Sequence, residues 1–214
     1  MPLPPGAAAA SRIGFEKDDF DVIEAARTAR LNVAYVPSMR NGADAEDRGN
    51  AVLTTLPITA IENIELPFGR QRRVAIAATL ASGSGDPAFR VVNAHFDTAL
   101  RLGVGGPASW RRLQADALLN AITEATLPTI VAGDFNTWWG NDEPAVDDLR
   151  RRFPAASDRV TGDTWRGPLA MHAQLDHMFA AGWDSPLEVR RAARRFGSDH
   201  YPLYVVIARA SRAG

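Results

Sequence analysis

Between residues 50 and 95, four strand-like apolar runs follow one another with only short separators. The runs are Asn50–Leu56, Ala60–Leu66, Arg73–Leu80 and Phe89–His95, and the separators are rich in proline, glycine and serine. Such short connections join antiparallel neighbours, because a parallel crossover needs a dozen or more residues. This half of the chain is therefore predicted to form an antiparallel sheet.

The rest of the chain adds a few helices and further strands. Asp18 or Asp19 is the predicted N-cap of a helix through about Arg30, Ser109 is that of a helix through about Glu124, and residues 143–153 have a third helical pattern. Further strands are predicted at Leu31–Val36, Pro128–Ala132, Leu175–Ala180, Leu187–Arg191 and Leu203–Ala208. Strict alternation of strands and helices is absent, which favours an α+β fold with mixed sheets flanked by helices.

Nothing in the sequence marks a domain boundary. The 214 residues contain no internal repeat and no linker-like stretch, so we expect a single domain over residues 1–214. Residues 1–14 are rich in proline, glycine and alanine, which predicts a loop or arm.

Composition excludes several kinds of chemistry. The chain has no cysteine, which rules out disulfides, zinc–thiolate sites and cysteine nucleophiles. The net charge of −1 gives no overall basic field that would recruit nucleic acid, although a local basic patch remains compatible with it. No apolar run is long enough for a bilayer span, and the N-terminus lacks the features of a signal peptide. We therefore expect a soluble protein, cytoplasmic by default, with its oligomeric state left open.

Four segments share a pattern in which an apolar strand ends in acids, amides or histidines. They are Asn93-Ala94-His95, Gly133-Asp134-Phe135-Asn136, Leu175-Asp176-His177 and Ser198-Asp199-His200-Tyr201-Pro202. Each alone has an ordinary structural explanation, such as an Asx turn at Gly133–Asn136 or a solvated turn at an Asp-His pair. Their joint occurrence favours a functional site on one rim of a sheet.

Taken together and in this order, the four segments resemble the signature of the endonuclease/exonuclease/phosphatase superfamily, which includes deoxyribonuclease I, exonuclease III and the bacterial sphingomyelinases. The segment Arg48–Leu53 followed by Leu56-Pro57-Ile58 is also similar to the family pattern. The resemblance implies a four-layer α/β/β/α sandwich of two mixed, largely antiparallel sheets. It also implies a metal-dependent phosphoesterase that uses Mg²⁺, with Mn²⁺ as the alternative ion.

The resemblance also implies roles for individual residues. Asp176 would accept a hydrogen bond from His200 on a neighbouring strand, and His200 would act as a base or contact the phosphate. Asp134 would orient or deprotonate water, and Asn136 would donate its amide to a phosphate oxygen. His95 would contact the phosphate or protonate the leaving oxygen. Asp199 would face the metal, and all six side chains are expected to converge on one cleft.

One part of the family pattern has no counterpart here. Family members usually begin with a strand that carries an asparagine and a second strand that ends in Gln-Glu, whose glutamate is a metal ligand. Glu16 and Glu24 are the only glutamates before the first predicted strand, and neither fits that position. We therefore expect an N-terminally shortened domain that binds Mg²⁺ weakly and turns over slowly.

Two functional hypotheses follow from these observations. The first is hydrolysis of a phosphodiester or phosphomonoester by a nuclease-like or phosphatase-like enzyme, with nucleic acid, a phospholipid head group or a small phosphate ester as substrate. The second is a catalytically impaired or non-catalytic remnant of the same fold that binds a phosphate ligand. Metal binding and turnover distinguish the two.

Overall fold

The computed structural model of the chain describes residues 21–38, 48–82, 88–98, 106–122, 126–156 and 162–207. Within these ranges it contains the helices α1 (Val22–Thr28), α2 (Gly106–Ala121) and α3 (Pro144–Arg152). The strands are β1 (Asn32–Pro37), β2 (Gly49–Thr54), β3 (Ile58–Leu66), β4 (Arg73–Leu80), β5 (Phe89–His95), β6 (Thr129–Asp134), β7 (Trp165–Arg166), β8 (His172–Ala173), β9 (Asp176–Ala181), β10 (Val189–Arg191) and β11 (Leu203–Val205).

The main sheet has five strands in the order β3-β4-β5-β6-β9. Only the β5–β6 pair is parallel, because α2 connects these two strands and provides the crossover that parallel neighbours need. Three two-stranded antiparallel ladders, β1–β2, β7–β8 and β10–β11, complete the strands of the described residues. The described part of the chain is thus a mixed α/β structure with one main mixed sheet and three helices.

The two faces of the main sheet pack against different partners. On one face, Val92 and Val131 lie in a core cluster with Leu118 of α2 and Leu149 of α3. Each such fully buried aliphatic side chain contributes about 1.5–3 kcal/mol to folding. The opposite face has two separate clusters, one shared with β1 and β2 and the other with β10 and β11. Helix α1 packs on β1, where Ala26 joins Val33 and Tyr35 in a further cluster.

Most predicted elements are present in the structure, and two strands, β4 and β5, have the predicted bounds. The predicted N-caps are wrong. Helix α1 begins at Val22 with Asp21 as its N-cap, whose carboxylate accepts a hydrogen bond from the backbone N–H of Ile23 at 2.8 Å. Helix α2 begins at Gly106, so Ser109 lies inside it and donates its hydroxyl to the Gly106 carbonyl at 2.7 Å.

Other expectations for the fold have mixed outcomes. Strand β11 ends at Val205, before the predicted end at Ala208, and the short strands β7 and β8 had not been predicted. The arm at residues 1–14 lies outside the described residues, and the single-domain organisation stays a prediction. None of the helices in the described ranges is long and apolar enough to cross a membrane.

Candidate active site

Three neighbouring strands of the main sheet carry polar side chains at their termini on the same side of the sheet, where β5 and β6 end and β9 begins. In the parallel β5–β6 pair His95 lies beside Asp134, and in the antiparallel β6–β9 pair Asp134 lies opposite Asp176. Side chains two residues apart share a face of a strand, so these three lie on the face that packs against β1–β2 and β10–β11. The register therefore brings together residues that are distant in sequence.

Gly133 permits the close approach of β5 and β6 at this edge. Its φ is +152°, and a Cβ atom at this position would lie 1.8 Å from the carbonyl oxygen of Ala94. Any side chain here would therefore push the two strands apart. The glycine before Asp134 is thus required by the geometry that sets Asp134 beside His95.

Asp134, Asp176 and His200 form the centre of the site. One potential ligand atom from each of them lies within 4.8 Å of the other two, the only such group of three or more among the residues that the structure describes. His95 adjoins this group, with its Nε2 3.5 Å from Asp134 Oδ2. Four of the six side chains expected at the site are therefore in close proximity.

The Asp134 carboxyl is in an unfavourable position for a negative charge. Burial raises its pKa to about 6, and the nearby charge of Asp176 acts in the same direction. The backbone N–H of Asn136 donates to Asp134 Oδ1 at 2.9 Å and opposes the shift only in part. A group with a pKa near neutrality can exchange a proton at physiological pH.

The expected Asp176–His200 contact is confirmed. His200 Nδ1 lies 2.8 Å from Asp176 Oδ2, so Nδ1 carries the proton and the imidazole has a fixed tautomer. This hydrogen bond raises the pKa of His200 and outweighs the effect of its partial burial. The expectation that His200 lies on a strand next to Asp176 is wrong, because it lies outside the strands and forms an isolated bridge with Trp165.

The pKa of His95 is shifted in the direction opposite to that of His200. Burial lowers the pKa of His95 to about 3, and the positive charge of Arg73 contributes in the same direction. The imidazole is therefore neutral over the physiological range in the absence of a ligand. Arg73 itself is 1% exposed, and burial lowers its pKa.

Asn136 is buried next to Asp134. Its side chain is 3% exposed, and Nδ2 donates a hydrogen bond to the Phe96 carbonyl at 3.0 Å. Its backbone has a φ of 51°, in the left-handed region that asparagine tolerates better than most residues. The segment from Asp134 to Asn136 therefore forms an Asx turn and also contributes side chains to the candidate site.

Asp199 is held beside the central group by a tryptophan. The indole N–H of Trp165 donates to Asp199 Oδ2 at 2.9 Å, and this hydrogen bond lowers the pKa of the carboxyl. The group of mutually close ligand atoms does not contain Asp199. Its expected contact with a metal accordingly remains a proposal.

Several contacts that organise the site are not predicted from the sequence. Thr164 is fully buried and accepts two backbone hydrogen bonds from the segment that carries Asp176. His177 Nε2 lies 2.7 Å from Thr137 Oγ1, which donates to the Gln174 carbonyl and ties the two strand ends together. These residues have ordinary local patterns, so only the tertiary contacts reveal them.

The paired tryptophans that follow Asn136 have different environments. Trp138 packs edge to face on Trp165, with ring centroids 5.4 Å apart, and so adjoins the residue that holds Asp199. Trp139 is 55% exposed. Of the two, Trp138 therefore contacts a residue that is hydrogen-bonded to one of the expected site side chains.

The donor set of the central group fits a hard divalent cation. Carboxylate oxygens are the ligands that Mg²⁺ prefers, and this ion usually keeps several waters, so one or two carboxylates suffice. The charge of Asp176 contributes to the raised pKa of Asp134, and a cation bound by this group would offset the repulsion that Asp134 experiences.

Fold and site together define an α/β protein with a carboxylate–histidine cluster at the edge of a mixed sheet. Over residues 12–200 the chain matches the model of the Endonuclease/Exonuclease/phosphatase family. The chain belongs to this family, which generally consists of metal-dependent phosphoesterases.

Solved structures agree with this fold. A conserved protein of unknown function from Enterococcus faecalis V583 is 19% identical, with a TM-score of 0.65 over 83% of this chain and 77% of that one. The human Nocturnin catalytic domain with bound sulfate is 20% identical, with a TM-score of 0.57 over 87% and 77%. Bacteroides thetaiotaomicron mannosyl-6-phosphatase is 16% identical, with a TM-score of 0.55 over 82% and 77%. No curated protein matches the chain.

Proposed function

We propose that this protein is a divalent-metal-dependent phosphoesterase that hydrolyses a phosphodiester or phosphomonoester with water. The observation that carries the proposal is the cluster of Asp134, Asp176 and His200, whose potential ligand atoms lie within 4.8 Å of one another. Membership of the family supports the reaction class. We also propose that the whole chain is one domain with the four-layer sandwich of the family, which the clusters on both faces of the main sheet support.

Asp134 is the proposed group that orients the attacking water and accepts its proton. Its pKa of about 6 suits a general base at neutral pH, since such a group is mostly ionised and still basic enough to take a proton. As the water oxygen bonds to phosphorus, the bond from phosphorus to the leaving oxygen breaks. That leaving oxygen must gain a proton or remain stabilised as an anion.

His200 is the proposed phosphate-contacting residue. Its raised pKa increases the cationic fraction near neutral pH, which favours contact with an anionic phosphate over the abstraction of a proton from water. Asp176 acts as a positioning residue by holding Nδ1, which directs Nε2 towards the side of Asp134. The two carboxylates thus have different roles because they have different partners.

His95 and Asn136 are proposed to donate hydrogen bonds to the phosphate. His95 is neutral, so it contributes an N–H group to the phosphate or the leaving oxygen rather than a full charge. The Asn136 amide already donates one hydrogen bond to Phe96, which leaves its second N–H for a phosphate oxygen.

The proposed metal ligand is Asp199, directly or through water, with Asp176 as a further carboxylate ligand beside it. Mg²⁺, or Mn²⁺ in its place, would supply neutralisation of the phosphate charge. Among the described residues, the group of mutually close ligand atoms contains only two carboxylates. Because so few ligands would hold the metal weakly, a second function is also considered. In this alternative the protein binds a phosphate ligand without turnover.

The substrate is proposed to be an ester of a nucleic acid, a phospholipid head group or a small molecule. The similar Bacteroides protein is a mannosyl-6-phosphatase, which keeps small phosphomonoesters among the candidates. The net charge of −1 slightly favours substrates other than long duplex DNA.

The test is turnover of bis-p-nitrophenyl phosphate and p-nitrophenyl phosphate with Mg²⁺, with Mn²⁺ and with EDTA. We expect metal-dependent hydrolysis that His200→Ala lowers by roughly 10²- to 10⁴-fold. His172→Ala is the matched control, because His172 is exposed and paired with Asp163 at 3.0 Å. Phosphate binding without turnover by the wild-type chain would favour the non-catalytic alternative.

A further inference from the structure

Thr164 connects the two segments that supply Asp176 and His200. Its side chain is fully buried, and its hydroxyl oxygen accepts hydrogen bonds from the backbone N–H groups of Leu175 and Asp176, both at 2.9 Å. Its carbonyl accepts a third hydrogen bond, from the N–H of Tyr201 at 2.7 Å. Thr164 is thereby hydrogen-bonded to the backbone of Asp176 and to the backbone of Tyr201, the residue that follows His200.

The neighbouring residue reinforces this connection. Trp165 forms an isolated antiparallel bridge with His200 and donates its indole N–H to Asp199 Oδ2 at 2.9 Å. The backbone N–H of Arg166 donates to the Asp199 carbonyl at 2.9 Å. Residues 199–201 lie outside the strands, so these contacts replace a ladder in fixing their position relative to β9.

We propose that Thr164 is a positioning residue that sets the 2.8 Å contact between Asp176 and His200. This inference rests on the proposed function for its catalytic consequence, whereas its structural part stands without turnover. The argument is geometric, because Asp176 and His200 belong to segments that share no ladder among the described strands. A change at Thr164 therefore moves one partner of the pair relative to the other.

The hydroxyl oxygen of Thr164 carries this role. Valine has nearly the same shape but accepts no hydrogen bond, so it would leave the buried backbone N–H of Leu175 and the half-buried backbone N–H of Asp176 without their partner. Serine keeps the oxygen and loses only the methyl group. The two substitutions therefore separate hydrogen bonding from packing.

The experiment compares Thr164→Val, Thr164→Ser and the control Thr129→Val in the full chain. Thr129 is also fully buried, but its hydroxyl donates to the Leu127 carbonyl at 2.9 Å, at the end of β6 remote from Asp134. The readouts are kcat and KM for bis-p-nitrophenyl phosphate, and the downfield NMR resonance of the His200 Nδ1–H that is hydrogen-bonded to Asp176.

We expect T164V to lower kcat by roughly 10- to 100-fold with little change in KM, since small displacements of a catalytic group have effects of this size. The His200 N–H resonance should shift or broaden in T164V. Both properties should be restored in T164S, and T129V should change neither. If T164V does not fold, Thr164→Ala and T164S give the same comparison, because alanine and serine differ by the oxygen alone.

The proposal is overturned if T164V retains kcat and the His200 resonance, or if T164S is impaired as strongly as T164V. It is also overturned if the wild-type chain lacks the resonance. A wild-type chain that shows the resonance, loses it in T164V and hydrolyses nothing would instead refute the proposed function and support the positioning role.

Discussion

Asp134→Asn should stabilise the metal-free protein at pH 7 while it abolishes hydrolysis. Burial and the neighbouring Asp176 raise the pKa of Asp134 from its ordinary 3.8 to about 6. The difference of roughly two units corresponds to about 3 kcal/mol of unfavourable free energy for the ionised form in the folded state. An amide removes that cost, and its oxygen can still accept the hydrogen bond from Asn136, so we expect a gain of up to about 3 kcal/mol.

The pH dependence has a defined sign. Because the pKa of Asp134 is higher in the folded state, the folded protein binds more protons than the unfolded chain between about pH 4 and 6. The contribution of Asp134 to stability is therefore most favourable below its ordinary pKa and is lost as the pH rises through about 6. Asp134→Asn should remove this component of the pH profile.

The assay is urea denaturation in EDTA from pH 4 to 8, for the wild type, Asp134→Asn and the control Asp116→Asn. Asp116 is exposed on α2, so its substitution should change the free energy of unfolding by less than about 0.5 kcal/mol. A loss of 1 kcal/mol or more in Asp134→Asn at pH 7 would refute the reasoning. That outcome would mean that interactions in the folded protein fully offset the free-energy cost of burying the ionised Asp134 carboxylate.

Three further substitutions test two buried charges and the strand contact at Gly133. Glu143→Gln should cost about 3–5 kcal/mol in urea denaturation, since it leaves the fully buried guanidinium of Arg111 without its counter-ion; a cost below 1 kcal/mol would contradict this. Arg73→Met should leave the free energy of unfolding unchanged or raise it by about 1–4 kcal/mol, because Nε and Nη1 of this buried side chain have no hydrogen-bond partner among the described residues. Marked destabilisation would show that a partner exists. Gly133→Ala should destabilise by at least about 1–3 kcal/mol, as its Cβ would collide with the Ala94 carbonyl, and unchanged thermal stability would be inconsistent with that geometry.

The proximity of His95, Asp134 and Asp176 was predictable from the sequence because strand periodicity and strand ends determine it. His95, Asp134 and Asp176 each lie at the end of an apolar run, and parity along the strand assigns their side chains to a face. Neighbouring strands then need only the correct register for the three side chains to meet. The His200 contact was predictable only through the family resemblance, because His200 lies outside the strands.

The remaining parts of the site depend on contacts that have no periodic signal. Thr164 is a single threonine near two-residue strands, and nothing in its local sequence indicates that its hydroxyl accepts two hydrogen bonds from residues 175 and 176. The start of α2 was misjudged for a related reason. Ser109 has the side chain of a good N-cap, but in the structure its hydroxyl bonds back to Gly106 within the first turn.

The two faces of β6 explain why the core and the site depend on the same register. Val131 points to the face covered by α2 and α3, whereas Ala132 and Asp134 point to the opposite face, where His95 and Asp176 lie. A slip of β6 by one residue would exchange these two sets, burying the Asp134 carboxylate under the helices and moving Val131 to the face that carries the site. Because an unpaired carboxylate in that apolar core would be strongly destabilising, the register that packs the helices is also the register that assembles the site.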